Sequence, residues 1–460
     1  MFAVSLRAQA SRDTLAYSVA IIPRDPHLTV EARLSVSAPG VVVLAAPPAA
    51  ASAGTAVVAL AATDDRGIAL EVGRGPSTWT IAVTRPGAVR FRYRLDVHRR
   101  VAEGSTSSGL DSTRFYAVTR SLFVAPDPTA MRKSGRPYPL LSVHVYAPES
   151  WQVFSGWPGD SVDFRPVDGD DLLGGTLAAG ADFRRYDGSA GSAAWQLAIR
   201  GRRYFADSVL VSAIRASLSR GAETLGPVPV SKVSYTGDVG RKGRTSGSLQ
   251  GASSIGLVWE PSEILETARI HDLFHETLHL WFGGALETER WWVEGVTDYL
   301  AARLYSEWQS RPDDLAQLCF QSLRNYQGIE YHSRITMAEE SRRRMGGDNT
   351  ELLVYRKGML AGLLLDASIR VGSGGRRSID DLSRQLLQMA SQRRSRLVRE
   401  AEIRDAVTAA GGEQTLAVWR RFVEGTEAIT EEDVANALQT VTGRSFPVPP
   451  VAKGRKELSR

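Results

Sequence analysis

A His-Glu-x-x-His run at His275, Glu276 and His279 sets the shape of the segment IHDLFHETLHLWFGG before anything else is considered. Side chains four residues apart lie one above the other on a helix face, so a helix lets both imidazoles reach one ion without distorting the backbone. Glu276 sits one position on, turned toward the open side of that ion, where it can hydrogen-bond a bound water and take its proton. The surrounding residues Leu273, Phe274, Leu278, Leu280, Trp281 and Phe282 mark a largely interior helix. A charged Glu there is costly unless something cationic accompanies it. The run therefore predicts a zinc site with its own general base.

Two imidazoles and a water leave one protein ligand to find. A third His six positions after His279, with a Gly midway, would complete a metzincin site, but those positions hold Ala285 and Phe282. The other solution is a carboxylate from the following helix. The segment ERWWVEGVTDYLAARLYSEW reads as that helix, because Trp292, Val296, Tyr299, Leu300 and Leu304 recur at helical spacing. Glu294 and Asp298 share one face of it.

At HETLHLW (275–281), WWVEGVTDYL (291–300) and VYRKGMLAGLLLDASIR (354–370) the chain resembles the gluzincin metallopeptidases, and within them the glycyl aminopeptidase-like branch. The resemblance implies a Zn²⁺ ion held by His275, His279 and Glu294, with Glu276 and Tyr355 catalytic. Fourteen residues, 280–293, separate His279 from Glu294, and the family's usual spacing would select Asp298. The WWVEG match sets the register, and a surface connection tolerates deletion. Glu294 is the expected ligand and Asp298 a partner to one of the imidazoles. Tyr355 supplies a phenol whose reference pKa near ~10 keeps it a proton donor toward an oxyanion.

Upstream, GSLQGASSIGLVWE (247–260) matches the cleft-edge strand on which such aminopeptidases hold the substrate, with Gly247 and Gln250 at the substrate-binding positions. The family carries Glu where Gln250 stands. A neutral amide cannot pair with an ammonium as a carboxylate does, so amino-terminal selectivity is expected to be relaxed.

The rest of the chain changes period once. From Ala16 to about Arg200, alternating stretches such as LTVEARLSV, TWTIAVT and VRFRYRLDVH read as strands. From about Tyr204 the period is mainly helical. The expected fold class is α+β, with an amino-terminal antiparallel β-sandwich over 1–200, a thermolysin-like, mainly helical catalytic domain over 201–445, and a basic tail over 446–460 expected to be disordered. His27, His98 and His144 are scattered without metal-ligand spacing and read as structural or surface residues. No PDZ module is visible, since too few residues follow Glu427 to form one.

Composition narrows the function classes. A formal charge of +5 over 460 residues arises from Arg clusters such as Arg342–Arg344 and from the tail Lys453–Arg460, without aromatic interleaving, which argues against nucleic acid as a partner. Cys319 is the single cysteine, so no intrachain disulfide supports the fold. The uncharged stretch Val41–Ala62 is broken by Pro47, Pro48, Ser52 and Gly54 and reads as two short strands rather than a membrane span. A β domain starting so near Met1 favours an exported, periplasmic bacterial protein over a cytoplasmic one. The expected activity is zinc-dependent hydrolysis of peptide or protein substrates. The alternative is a non-catalytic binding protein that keeps the gluzincin fold and zinc; Glu276 and Tyr355 separate the two, because a closed structural site needs neither.

Overall fold

The computed structural model describes residues 13–25, 27–45, 56–97, 109–201, 205–239, 246–250, 253–259, 267–329, 332–342, 351–393 and 396–447. His98, Arg343, Arg344, Arg394 and the tail beyond 447 lie outside them. The fold class is α+β, and the chain divides into two compact units, one of strands and one of helices.

In the strand unit, period-two patterning becomes sheet. Arg90, Arg92 and Arg94 face outward while Phe91, Tyr93 and Leu95 alternate with them and are at most 1% exposed. The same alternation runs through Thr14–Ala20 and His27–Val36. These strands occupy the middle of an eight-stranded sheet ordered 159–160, 163–164, 140–146, 14–20, 27–36, 87–96, 56–63, 69–70. Its inward residues share one core with Leu44, Trp79 and Ile81 of a three-stranded sheet and Phe115, Ala117 and Leu177 of a four-stranded one. Two buried phenols tie that core to an irregular segment. Tyr17 donates to the Val124 carbonyl and Tyr93 to that of Leu122, each at 2.8 Å. Strands are found at Gly40–Ala45 and Ala56–Thr63, which pair with other strands and not with each other. Helices α1 (Pro128–Lys133) and α2 (Gly169–Gly174) are single turns in this unit.

The expected antiparallel pairing needs one correction. Leu140–Tyr146 lies parallel to Thr14–Ala20, so the large sheet is mixed. A parallel neighbour requires a crossover of a dozen residues or more, and here the chain between Ala20 and Leu140 provides it. Local alternation cannot reveal which distant strand will become the neighbour. A further five-stranded sheet, ordered 184–190, 193–199, 232–239, 254–259, 246–250, is parallel at its two central pairs. Ser246–Gln250 is an edge strand there, antiparallel to Ser254–Trp259, with Gly247 opposite Leu257 and Gln250 opposite Ser254.

The helical unit contains α3 (Asp207–Leu225), α4 (Thr267–Leu278), a π-helical turn at Trp291–Val296 running into α5 (Thr297–Gln309), α6 (Pro312–Gln327), α7 (Met337–Arg342), α8 (Glu351–Gly372), α9 (Ile379–Ser391), α10 (Glu400–Phe422) and α11 (Glu431–Thr442). α10 breaks at Gly412, whose φ of +73° no ordinary L residue adopts easily. α8 is apolar around most of its circumference and is central: Leu353, Leu360, Leu363, Leu365 and Ile369 are fully buried. It packs on the π turn and on α5, α6, α10 and α11. No described helix is long and apolar enough to cross a membrane.

Two charged residues of α8, Asp366 and Lys357, are fully buried, and a third, Arg356, is partly so. Asp366 is fully buried and accepts from the Tyr299 phenol at 2.7 Å, from Arg370 Nε at 3.0 Å and from the Ile379 amide at 3.0 Å. It is an internal junction of three elements, α5, α8 and α9. Arg356 reaches toward Asp298.

Lys357 is fully buried with its ammonium 3.3 Å from the Gly425 carbonyl, and burial pushes its pKa down to about 8. In the unfolded chain the same lysine titrates near ~10.4. Below about pH 8 both states hold the proton and the burial cost is borne in full. Between about 8 and ~10.4 the unfolded state binds more protons, so stability rises with pH. Denaturant unfolding across that window should show the wild-type protein gaining on Lys357→Met. Parallel curves for the two would refute this reading of Lys357.

Candidate metal centre and active site

α4 delivers His275 and His279 to one place because it stays helical through them and then stops. The His279 amide still bonds the His275 carbonyl at 3.3 Å, after which Gly283, with φ +98°, turns the chain. The turn brings the Phe282 carbonyl to 3.0 Å from His279 Nδ1. A carbonyl only accepts, so Nδ1 carries the proton and Nε2 presents its lone pair. His275 has a different neighbour on that side, the Asp298 carboxylate, whose Oδ1 lies at an ion-pair distance of 3.2 Å from its Nδ1.

Both Nε2 atoms converge on Glu294. Its Oε2 is 3.6 Å from His275 Nε2 and 3.4 Å from His279 Nε2. Among the described residues these three form the one group of His, Cys, Asp and Glu side chains close enough to share an ion, all ligand atoms within 4.8 Å. Ligands of a tetrahedral zinc, bound at about 2.0–2.1 Å, stand roughly 3.3–3.4 Å apart, so the donors are both the right kind and nearly the right spacing for Zn²⁺. Asp298, the alternative by spacing, sits behind His275 on the Nδ1 side.

Glu294 is placed by the π-helical turn, a form that recurs at functional sites. The turn is pressed against α8 at two glycines. A Cβ on Gly295 would lie 2.3 Å from Gly358 Cα, and one on Gly358 would lie 2.8 Å from Gly295 Cα. Only backbone fits on either side. This crossing holds the Glu294 turn against the helix that carries Tyr355, whose ring centroid is 6.0 Å from that of His275.

The electrostatics favour a cation. Burial pushes the Glu294 carboxyl up, but the positive charge that His275 and His279 carry when also protonated at Nε2 outweighs it and holds it well below the usual carboxylate range, and a cation accepting from both Nε2 lone pairs would act in the same direction. Burial pushes His275 down, yet Asp298, Glu294 and Glu276 together hold it well above its ordinary value. Three carboxylates thus face two imidazoles. Tyr355 is held well above the ordinary phenol, first by burial and then by the Glu294 and Glu276 charges, so it stays protonated through neutral pH. Glu276 follows His275 on α4 and is half-buried.

Two more residues lie close to this site, His271 and Arg356. His271 continues the four-residue spacing of His275 and His279 and is 6% exposed. That repeat was visible. Arg356, next to Tyr355, has its Nη1 3.6 Å from Asp298 Oδ2. Gly247 and Gln250 belong to the strand unit and are placed by their edge-strand pairing.

No family model and no curated protein matches the sequence. Solved structures do match. An aminopeptidase N family protein from Idiomarina loihiensis aligns over 93% of this chain and 78% of its own, with TM-score 0.79 and 17% identity. An M1 zinc metallopeptidase from Deinococcus radiodurans aligns over 91% and 94%, with TM-score 0.60 and 17% identity. A mutant of the Deinococcus enzyme bound to a Tyr-Ser-Ala substrate aligns over 91% and 94%, with TM-score 0.59 and 15% identity. At these identities the likeness is one of fold, that of the aminopeptidase N family and M1 zinc metallopeptidase structures.

Proposed function

We propose that this chain is a zinc-dependent peptidase of the gluzincin kind, aminopeptidase-like and nearest the glycyl aminopeptidase branch. In this reading a β-sandwich domain over 1–200 precedes a thermolysin-like catalytic domain over 201–445. The observation that carries it is the convergence of His275 Nε2, His279 Nε2 and Glu294 Oε2, with Tyr355 beside them. The M1 zinc metallopeptidase fold supports it.

His275, His279 and Glu294 would hold the ion. When bound, zinc polarises the substrate carbonyl and brings the pKa of water toward ~7. Glu276 takes the attacking water's proton and returns it to the departing amine. Tyr355, kept protonated by burial and by the neighbouring carboxylates, donates a hydrogen bond to the oxyanion of the tetrahedral intermediate. Phe282 and Asp298 keep both rings turned so that Nε2 faces the ion.

Ser246–Gln250 is an edge strand of the described sheet, the kind of element to which an extended peptide adds. With Gln250 in the family's Glu position, the preference for free amino termini is weak. A panel of free and amino-acetylated peptides tests the whole reading. Both kinds are expected to be cleaved in a zinc-dependent way, with Gln250→Glu shifting preference toward free termini. Tyr355→Phe should lower kcat on the order of 10²–10³-fold with KM little changed. Zinc-loaded protein that cleaves none of the panel would contradict the proposal.

A further inference from the structure

Behind the three ligand-bearing side chains a second set of residues converges on Asp298. This carboxylate is 5% exposed. Its Oδ1 faces two imidazoles, His275 Nδ1 at 3.2 Å and His271 Nε2 at 3.4 Å, and its Oδ2 faces Arg356 Nη1 at 3.6 Å. His271 Nε2 also lies 3.2 Å from the Asp298 carbonyl, so one ring meets both the backbone and the side chain of the same residue. On its far side His271 Nδ1 is 3.7 Å from Asp272 Oδ1.

The pattern repeats across three elements. α4 gives His275 to the ligand set and, one turn earlier, His271 to Asp298. The stretch formed by the π turn and α5 gives Glu294 and, four residues on, Asp298. α8 gives Tyr355 and, next to it, Arg356. Each element that supplies a group to the front of the site also supplies one to the junction behind it. A buried carboxylate is costly unless several donors and a cation hold it, and one held on a single side could rotate away from His275.

We infer that His271 and Arg356 are positioning residues for the metal centre: they pin the Asp298 carboxylate from two sides, so that it fixes the His275 ring with Nε2 toward the ion. Neither touches the ion or the substrate. Arg356 in addition ties the helix of Tyr355 to the ring of His275, so the proton donor and a metal ligand are set by one junction. The inference rests on the metal-site reading above and deepens it.

The test is a double-mutant cycle on zinc affinity, measured for the full chain by competition of Zn²⁺ with a chromophoric chelator. His271→Ala and Arg356→Ala should each raise the zinc Kd about 10-fold or more, the range for groups that orient a ligand rather than bind the metal. In an Asp298→Ala background the same substitutions should add less than about twofold, because the carboxylate through which they act is gone. A general effect on folding would add in full in both backgrounds. His271→Gln and Arg356→Lys, which keep a donor, should recover much of the affinity. Should an alanine variant fail to fold, His271→Met and Arg356→Met take its place in the cycle. Wild-type affinity in the single variants, or full additivity with Asp298→Ala, would overturn the inference while leaving the metal site standing. Absence of zinc binding in the wild-type protein would overturn both.

Discussion

Glu276→Gln should retain its zinc and lose peptide hydrolysis by about 10²–10⁴-fold, the usual contribution of a positioned general base. The amide is nearly the same size as the carboxylate and leaves His275 and His279 in place, but it cannot accept the water's proton. Metal analysis beside single-turnover kinetics separates the two contributions. A variant that keeps wild-type turnover would remove Glu276 from the role of general base, whereas a zinc-loaded wild-type protein without turnover would favour the binding-protein alternative.

The second large effect is expected at Glu294. Glu294→Ala removes the carboxylate on which both Nε2 atoms converge and leaves two protein ligands, too few for tight zinc binding. Asp298→Ala removes only the group behind His275, and affinity should fall about 10–100-fold. The ranking matters more than either number. If Asp298→Ala releases the metal and Glu294→Ala does not, the spacing along the chain, rather than the placement of the carboxylates, describes the ligand set.

What could be read from the sequence follows from the range of the forces involved. The imidazole pair was legible because its geometry is local, set by one helical turn. Glu294 and Asp298 were both legible as acids on one helical face, but their separate places depend on the π-helical turn and on the Gly295–Gly358 crossing, which joins positions far apart in sequence. Strand alternation showed which residues of 14–20 and 87–96 face the core, yet could not show that 140–146 would return parallel to 14–20. Lys357, Arg356 and Asp366 show the same limit in the helical unit. A charged residue on a helix looks solvated until the neighbouring helices are in place, and those around α8 bury Lys357 and Asp366 fully and Arg356 in part. His271 is a different case, since its spacing was in plain view and only its partner was not.

The most direct measurement of the central claim is the zinc content of the purified chain together with the position of the ion by anomalous X-ray scattering. One zinc per chain, bound by His275 Nε2, His279 Nε2 and an oxygen of Glu294, is the predicted result. No stoichiometric zinc, or an ion seated on any other set of side chains, would contradict it.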